Sequence, residues 1–529
     1  MRAALAFLLA LASAPLAARD VVDATPPEKV AVTIYRDPQG SGFNRNYPRG
    51  FAMISETRKV TLPPGESTIR FAGVAEGMIG VSAIVTGLPG GTIEKNRNSA
   101  LLSPAALVDG TLGNRVTLTR TDPATGRESS EQAVVRARAD GGIVLQTSQG
   151  YEAVRCSGLP ERLGFDRVPE GLSAEPVFTI DTRDEAGGTY TVTLTYLAWG
   201  FDWQAHYVAS LRDDAPRGRR DMRMLSWLTL VNDNGQSFEN AELMVVAGTL
   251  NIESDFETLA SPPQGEPLQL ECWPMGSTAA GSYPDFIPIP VPAPPPPMSA
   301  APIMVTAARM QEADGAYAVE MAMLVGEENL GDLKLYRVPE PISVRAKGFK
   351  QVAFLQKDQV RGALIYRARC SLDRPFDDRA AFSPAGLLFR TENKEQSGLG
   401  VALPRGGVTV FEPAAAGELL IGEDSLRDYA VGEKVEIGLG ASTAVYHQCA
   451  FSAADPVPDA ERKAWREVRA VLTNAGAENA SVELEIGPAA AWQVKPVRGL
   501  ALRDGQQVIS VSVKPGQTAE LRFQVRPVT

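Results

Sequence analysis

Polar residues alternate with β-branched or aromatic ones along most of the chain. The segments KVAVTIY, RKVTLPPGESTIRFAG, GGIVLQTS, GTYTVTLTYLAW, ISVRAKGFKQVAFLQ, EKVEIGLG and QQVISVSVKPGQTAELRFQV all carry this pattern. A period of two puts every second side chain on one face, so each segment reads as a strand with one buried side. Gly, Pro, Asn and Asp separate the runs at short spacing, as tight connections require. Outside the N-terminal apolar run, no segment holds a convincing helical period. The fold class expected is mostly β, built of sandwiches or barrels.

The alternation fails from Leu259 to about Leu330, where SYPDFIPIPVPAPPPPMSAAPIM favours an extended polyproline chain. Such a segment reads as a tether between β units or as a recognition motif for a Pro-binding partner. From Ala106 onward, about five short strands with Gly, Asp or Pro turns crowd into about fifty residues, the rhythm of a small SH3-like barrel. The expected organisation is a signal peptide (1–18), an N-terminal β module (24–95), an SH3-like barrel (103–168), two halves of a β-sandwich (176–258 and 331–452) around a Pro/Ala-rich linker (259–330), and a C-terminal immunoglobulin-like sandwich (459–529).

Length and charge narrow the function. A chain of 529 residues is too long for one ordinary domain. Its formal charge of −11, with no basic run, argues against nucleic-acid binding. The start, MRAALAFLLALASAPLAARD, has a basic Arg2, an apolar run and then small residues, which reads as a secretory signal. Export, to the periplasm or beyond the cytoplasmic membrane, is the expectation, with no membrane-spanning segment after cleavage.

In an oxidising compartment the four cysteines, Cys156, Cys272, Cys370 and Cys449, permit two disulfides in three connectivities, or four buried thiols. Cys370 and Cys449 both end strand-like runs in one region, which makes them the first pair to expect. None forms a CxxC, so redox catalysis and zinc knuckles lack support.

Few motifs of catalysis are present. With only His206 and His447, a His-rich metal site cannot be assembled, and each reads better as a structural histidine. There is no GxSxG elbow, P-loop or GxGxxG after a strand, so nucleotide binding is not expected and no cofactor is implied. A carboxylate pair needs no motif, and Asp202 and Glu239 lie near aromatics. Alternation would put Trp199, Phe201 and Trp203 on one face of a strand and Tyr196 on the other. If exposed, the three form a ladder able to stack on sugars or peptide side chains. If buried, they are core. Gly200 between them suggests a bulge or bend.

The stretch WLTLVNDNGQSFENAELMVVAG (Trp227 to Gly248) looks like a metal loop. As a calcium loop counted from Asn232, it places Ser237 where Gly is needed and Leu243 where Glu is needed. Counted from Asp233, it puts Gly235 at a ligand position, so both registers fail. It reads instead as a strand–turn–strand connection, repeated in VLTNAGAENASVELEI, where Asn474, Gly476 and Glu478-Asn479-Ala480 match Asn232, Gly235 and Glu239-Asn240-Ala241.

Several segments in order resemble exported bacterial proteins that carry domain of unknown function 4139. Gly200, Trp203 and Tyr207 in GTYTVTLTYLAWGFDWQAHYVASL match that family's recurring Gly, Trp and Tyr. The Asn-rich turn, DLKLYRVPEPISVRAKGFKQVAFL, NKEQSGLGVALPRGGVTVFE and the closing AWREVRAVLTNAGAENASVELEIGPAAAWQV follow in the same order. The chain departs at His206, where the family is more often acidic, and at Arg427, near which a His is common. The resemblance implies fold and compartment, not chemistry. The combined expectation is a non-catalytic binding or structural protein of the envelope, with an envelope protein or glycan as partner. The alternative is a hydrolase or binding protein acting on envelope polysaccharide through carboxylates beside the aromatics.

Overall fold

The computed structural model describes residues 19–38, 40, 42–98, 102, 104–122, 124–137, 143–154, 162–169, 172–212, 220–260, 326–452 and 464–528. The expected signal peptide (1–18), nearly all of the 259–330 linker, Cys156 and Cys272 lie outside the described residues. The described chain is mostly β and arranged in several sheets, with only the short α-helices Pro104–Gly110 and Phe256–Ala260 and a 3-10 turn at Glu395–Ser397. Among the described residues, no helix is long and apolar enough to cross a membrane.

The longest strand, Gly188–Arg212, organises the largest sheet. It pairs antiparallel with Gly50–Leu62 and Met78–Thr86 along its first half, antiparallel with Arg220–Asn232 along its second, and parallel with Gly406–Ala414. Arg220–Asn232 pairs in turn with Gly348–Arg369, across the Pro-rich segment. Phe238–Ala247 runs parallel to Lys29–Tyr35 and antiparallel to Leu333–Arg337. Strands from the beginning of the chain, from before the linker and from after it therefore share one sheet and one large core, which includes Ile34, Ile54, Trp203, Leu243, Phe354 and Val410.

A smaller sheet runs Asp20–Asp23, Gly65–Ala72, Val177–Asp184, Glu94–Asn98 in spatial order, the first pair parallel and the others antiparallel. Arg115–Thr121, Glu128–Ala137, Ile143–Thr147, Gly150–Val154 and Arg162–Gly164 form a separate five-stranded antiparallel sheet. Its own small core is Val108, Val116, Leu118, Ala133, Val135, Ile143 and Leu145. A third core, with Val468, Leu472, Leu484, Ile509 and Val525, belongs to the C-terminal strands.

Long strands join the C-terminal core to the large one. Gly348–Arg369 leaves Arg220–Asn232 and continues beside Ser383–Glu392 and, in parallel, Ala480–Pro488. Lys434–Phe451 pairs first with Ser383–Glu392 and then with Arg466–Asn474. The junction is polar. Arg390 makes a two-pronged contact with Glu483 at 2.5 and 2.7 Å and also donates to Glu436 at 2.7 Å, while Arg367 holds Glu436 at 2.6 Å. Partial burial opposes ionisation of Glu436, but Arg367, Arg390 and Lys434 outweigh it and hold its carboxyl at about 2.

Candidate functional site

Gly200 decides where the aromatic stretch points. Along 192–198 the even-numbered side chains are buried, and from 201 to 211 the odd-numbered ones are. The switch is a bulge, since the pairing with Gly50–Leu62 jumps one residue between Trp199 and Phe201, and Gly200 takes φ +87°. Only a residue without Cβ adopts that conformation readily. One inserted residue exchanges the faces of everything after it. The expectation that Trp199, Phe201 and Trp203 share a face is therefore corrected. Tyr196, Phe201, Trp203 and Tyr207 all enter the large core, and Trp199, only half-buried, points the other way.

The Asn-rich stretch clamps this bulge. Asn234 donates from Nδ2 to the Trp199 carbonyl at 3.0 Å and accepts the Gly77 N–H at 2.6 Å, while Asp233 N–H donates to the Gly200 carbonyl at 2.8 Å. The backbone groups that a bulge removes from the ladder are thereby partnered. Asn232 braces the turn, donating to the Gln236 and Arg345 carbonyls at 2.9 and 3.1 Å and accepting the Asn234 N–H at 3.0 Å. Asn474 makes the same three bonds, to the Glu478 and Val513 carbonyls at 2.8 and 2.9 Å and from the Gly476 N–H at 2.9 Å.

Just after the bulge a cleft of ≈ 240 Å³ opens among Arg36, Asp37, Asp202, Trp203, Gln204 and Arg405. Arg36 lies over the Trp203 ring with its guanidinium carbon 4.1 Å from the centroid. It donates to Asp428 Oδ1 at 2.9 Å and to the Arg405 carbonyl at 3.2 Å, and Asp428 also accepts the Arg405 N–H at 2.7 Å. The Trp203 indole N–H donates to the Val246 carbonyl at 3.2 Å, so the ring is held at its polar edge by this bond and on one face by Arg36.

Asp202 is 2% exposed. Burial pushes its carboxyl up to about 7, aided by the nearby charge of Asp37 and opposed by the N–H groups of Trp203 and Asp37 and by Arg36. A carboxyl titrating near neutrality has the proton affinity of a general acid or base. At this depth, though, its Oδ1 is already bonded to the Trp203 N–H at 2.8 Å.

Trp199 instead lines a ≈ 210 Å³ depression with Glu76, Asp233, Glu257 and Lys347. The acids beside the aromatics thus line two separate pockets, Asp37 and Asp202 in one and Glu76, Asp233 and Glu257 in the other. Glu239 joins neither; it is exposed and bonded to the Ser343 hydroxyl. Arg36, Asp37, Asp428 and Asn234 were not singled out by sequence reasoning. Their only local signal is a strand ending in Arg-Asp-Pro and the Asn-rich turn itself.

The remaining sequence candidates are structural in their surroundings. Cys370 and Cys449 are joined by a disulfide, with Cα atoms 4.6 Å apart, inside the C-terminal core. His447 accepts the Arg369 N–H at 3.2 Å, and burial lowers its basicity. His206 sits 3.4 Å from the Thr409 hydroxyl. Among the described residues, no three His, Cys, Asp or Glu side chains are grouped to hold a metal ion. Comparison with known proteins finds no family model and no curated protein that matches this chain.

Proposed function

We propose that the chain is an exported protein of the cell envelope that binds or braces a partner without turning it over, and that it belongs with the proteins carrying domain of unknown function 4139, whose motif order it resembles. The observation that carries this reading is the use made of the aromatic and acidic stretch. Phe201 and Trp203 fill the core, and Asp202 spends its oxygens on backbone N–H groups at 2% exposure. Strands shared between the large and C-terminal cores suit a rigid brace. The Cys370–Cys449 disulfide suits an oxidising compartment. In this reading 103–168 is an SH3-like barrel, 459–529 an immunoglobulin-like sandwich and 259–330 a tether. The partner is an envelope protein or glycan.

One observation favours a second reading, a hydrolase of envelope polysaccharide. It is the carboxyl of Asp202, raised to about 7 beside Asp37 in an open-mouthed cleft. The test is release of reducing ends from envelope polysaccharide by the full chain and by Asp202→Asn. Equal, background-level release supports the non-catalytic protein. Turnover lost in Asp202→Asn, with folding intact, establishes the hydrolase instead.

A further inference from the structure

The five-stranded sheet carries a third cavity, remote in sequence from Gly200. In its first hairpin Val116, Leu118, Ala133 and Val135 face the small core. Arg115 pairs with Val134, so Arg115, Val134 and Arg136 stand together on the outer face. The turn before the hairpin is tied down by the Gly113 N–H, which donates to the Val135 carbonyl at 2.7 Å. The segment after Arg162–Gly164 forms the facing wall. There the end of the Pro104–Gly110 helix packs so closely that a Cβ on Gly110 would come within 2.7 Å of Pro169. Between these walls lies ≈ 890 Å³, lined by Asn114, Arg115, Arg136, Phe165, Asp166 and Arg167 among others.

The charge at this cavity is unbalanced. Arg120 of the same sheet is paired with Glu131 and Glu152, and Arg162 lies 3.9 Å from Glu128. Arg115 and Arg167 are exposed and have no carboxylate partner among the described residues. Arg136 gives its Nε–H to Gln146 at 2.7 Å and also lines the cavity. Asp166 is the one acid among the described lining residues. Three arginines lining one cavity in a chain of net charge −11 form a local site for oxyanions. The space is that of a small-molecule site rather than of a single inorganic ion, and the half-buried Phe165 offers a ring face beside the arginines.

We propose that this cavity binds an acidic saccharide, a sugar ring carrying carboxylate or phosphate, with Arg115, Arg136 and Arg167 on the anion and Phe165 against the ring. This goes beyond the binding role proposed above by giving it a site and a ligand class. Its test leaves the question of turnover untouched.

Titration calorimetry of the full chain with trigalacturonate, glucose 1-phosphate and neutral maltotriose reads the site directly. One or both acidic probes bind and maltotriose does not. Arg115→Gln and Arg167→Gln each weaken binding about tenfold, the loss of one charged hydrogen bond. Arg498→Gln, an exposed change in the C-terminal region, leaves binding unchanged. Tighter binding of the uronate identifies a carboxylated polymer as the source, and tighter binding of the sugar phosphate a lipid headgroup; either supports the site. Binding of maltotriose equal to that of the acids, no binding of either acid, or binding unaffected by both Arg115→Gln and Arg167→Gln overturns it. Circular dichroism of each variant separates lost binding from lost folding.

Discussion

Asp202 makes stability depend on pH in a direction opposite to that of most carboxylates. Its carboxyl moves from an ordinary 3.8 to about 7 in the folded chain, chiefly through burial. Between those values the folded state holds a proton that the open state releases. The stabilisation is therefore fully present below about pH 4, falls as pH rises and is gone above about pH 7. A shift of this size corresponds to about 4 kcal/mol across the whole window, of which about 2.5 kcal/mol lies between pH 5 and pH 8.5. Asp202→Asn removes the titration and keeps an oxygen for the Trp203 N–H. Other groups titrate over the same range, so the informative quantity is the difference between the two proteins. Hydrogen exchange of peptides covering 197–208 measures local opening, and the intrinsic exchange rate cancels between the variants at every amide other than 202 and 203. The wild type should lose about 2.5 kcal/mol of protection relative to Asp202→Asn from pH 5 to pH 8.5. A difference that stays flat to within about 0.5 kcal/mol would refute a buried, proton-holding Asp202.

The two tryptophans on either side of Gly200 should behave differently. Trp203→Ala should cost about 3–5 kcal/mol in urea denaturation, and Trp199→Ala about 1 kcal/mol or less, since only Trp203 fills the core; equal costs would contradict the bulge. Asn234→Ala removes two bonds to backbone and should destabilise the large core by about 2–3 kcal/mol, whereas Asn474→Ala should act on the C-terminal core alone, with the two effects additive in the double variant. Replacing Cys370 and Cys449 together by Ala releases a closed loop with a sequence separation of 79. The C-terminal core should then lose about 3–4 kcal/mol, read as earlier exchange of 466–474 and 480–488.

Alternation made the strands legible in the sequence because a half-buried strand writes its two faces directly into residue type. That writing is local, and two features lay beyond it. The first is parity. The aromatic run reads as one ladder only while the period of two holds, and the extra residue at Gly200 breaks it. The glycine was visible as a potential bulge, but which flank would be buried depends on pairing with Gly50–Leu62. The second is partnership between distant segments. Nothing near Trp203 indicates that Arg36 covers its ring, or that Asp428 anchors that arginine. The pairing of Arg220–Asn232 with Gly348–Arg369 likewise spans the Pro-rich segment, where local pattern carries no register. The equivalence of Asn232 and Asn474 was legible, because the chemistry of one side chain sets the geometry of the turn around it.

That equivalence extends to a third position. Asn393 is fully buried, donates to the Val401 and Ala430 carbonyls at 2.7 and 2.9 Å, and accepts the Gly400 N–H at 3.1 Å. Each of the three asparagines sits where a strand ends and its backbone groups lose their ladder partners. An unpaired buried backbone group costs as much as a lost hydrogen bond. An amide supplies two donors and an acceptor from one short side chain. A carboxylate has no donor to give a carbonyl, and a hydroxyl has one. Strands that end inside the protein rather than at its surface must have those backbone groups partnered there. In this chain buried asparagine is what partners them, and the stretch that looked most like a metal loop is the first of these strand ends.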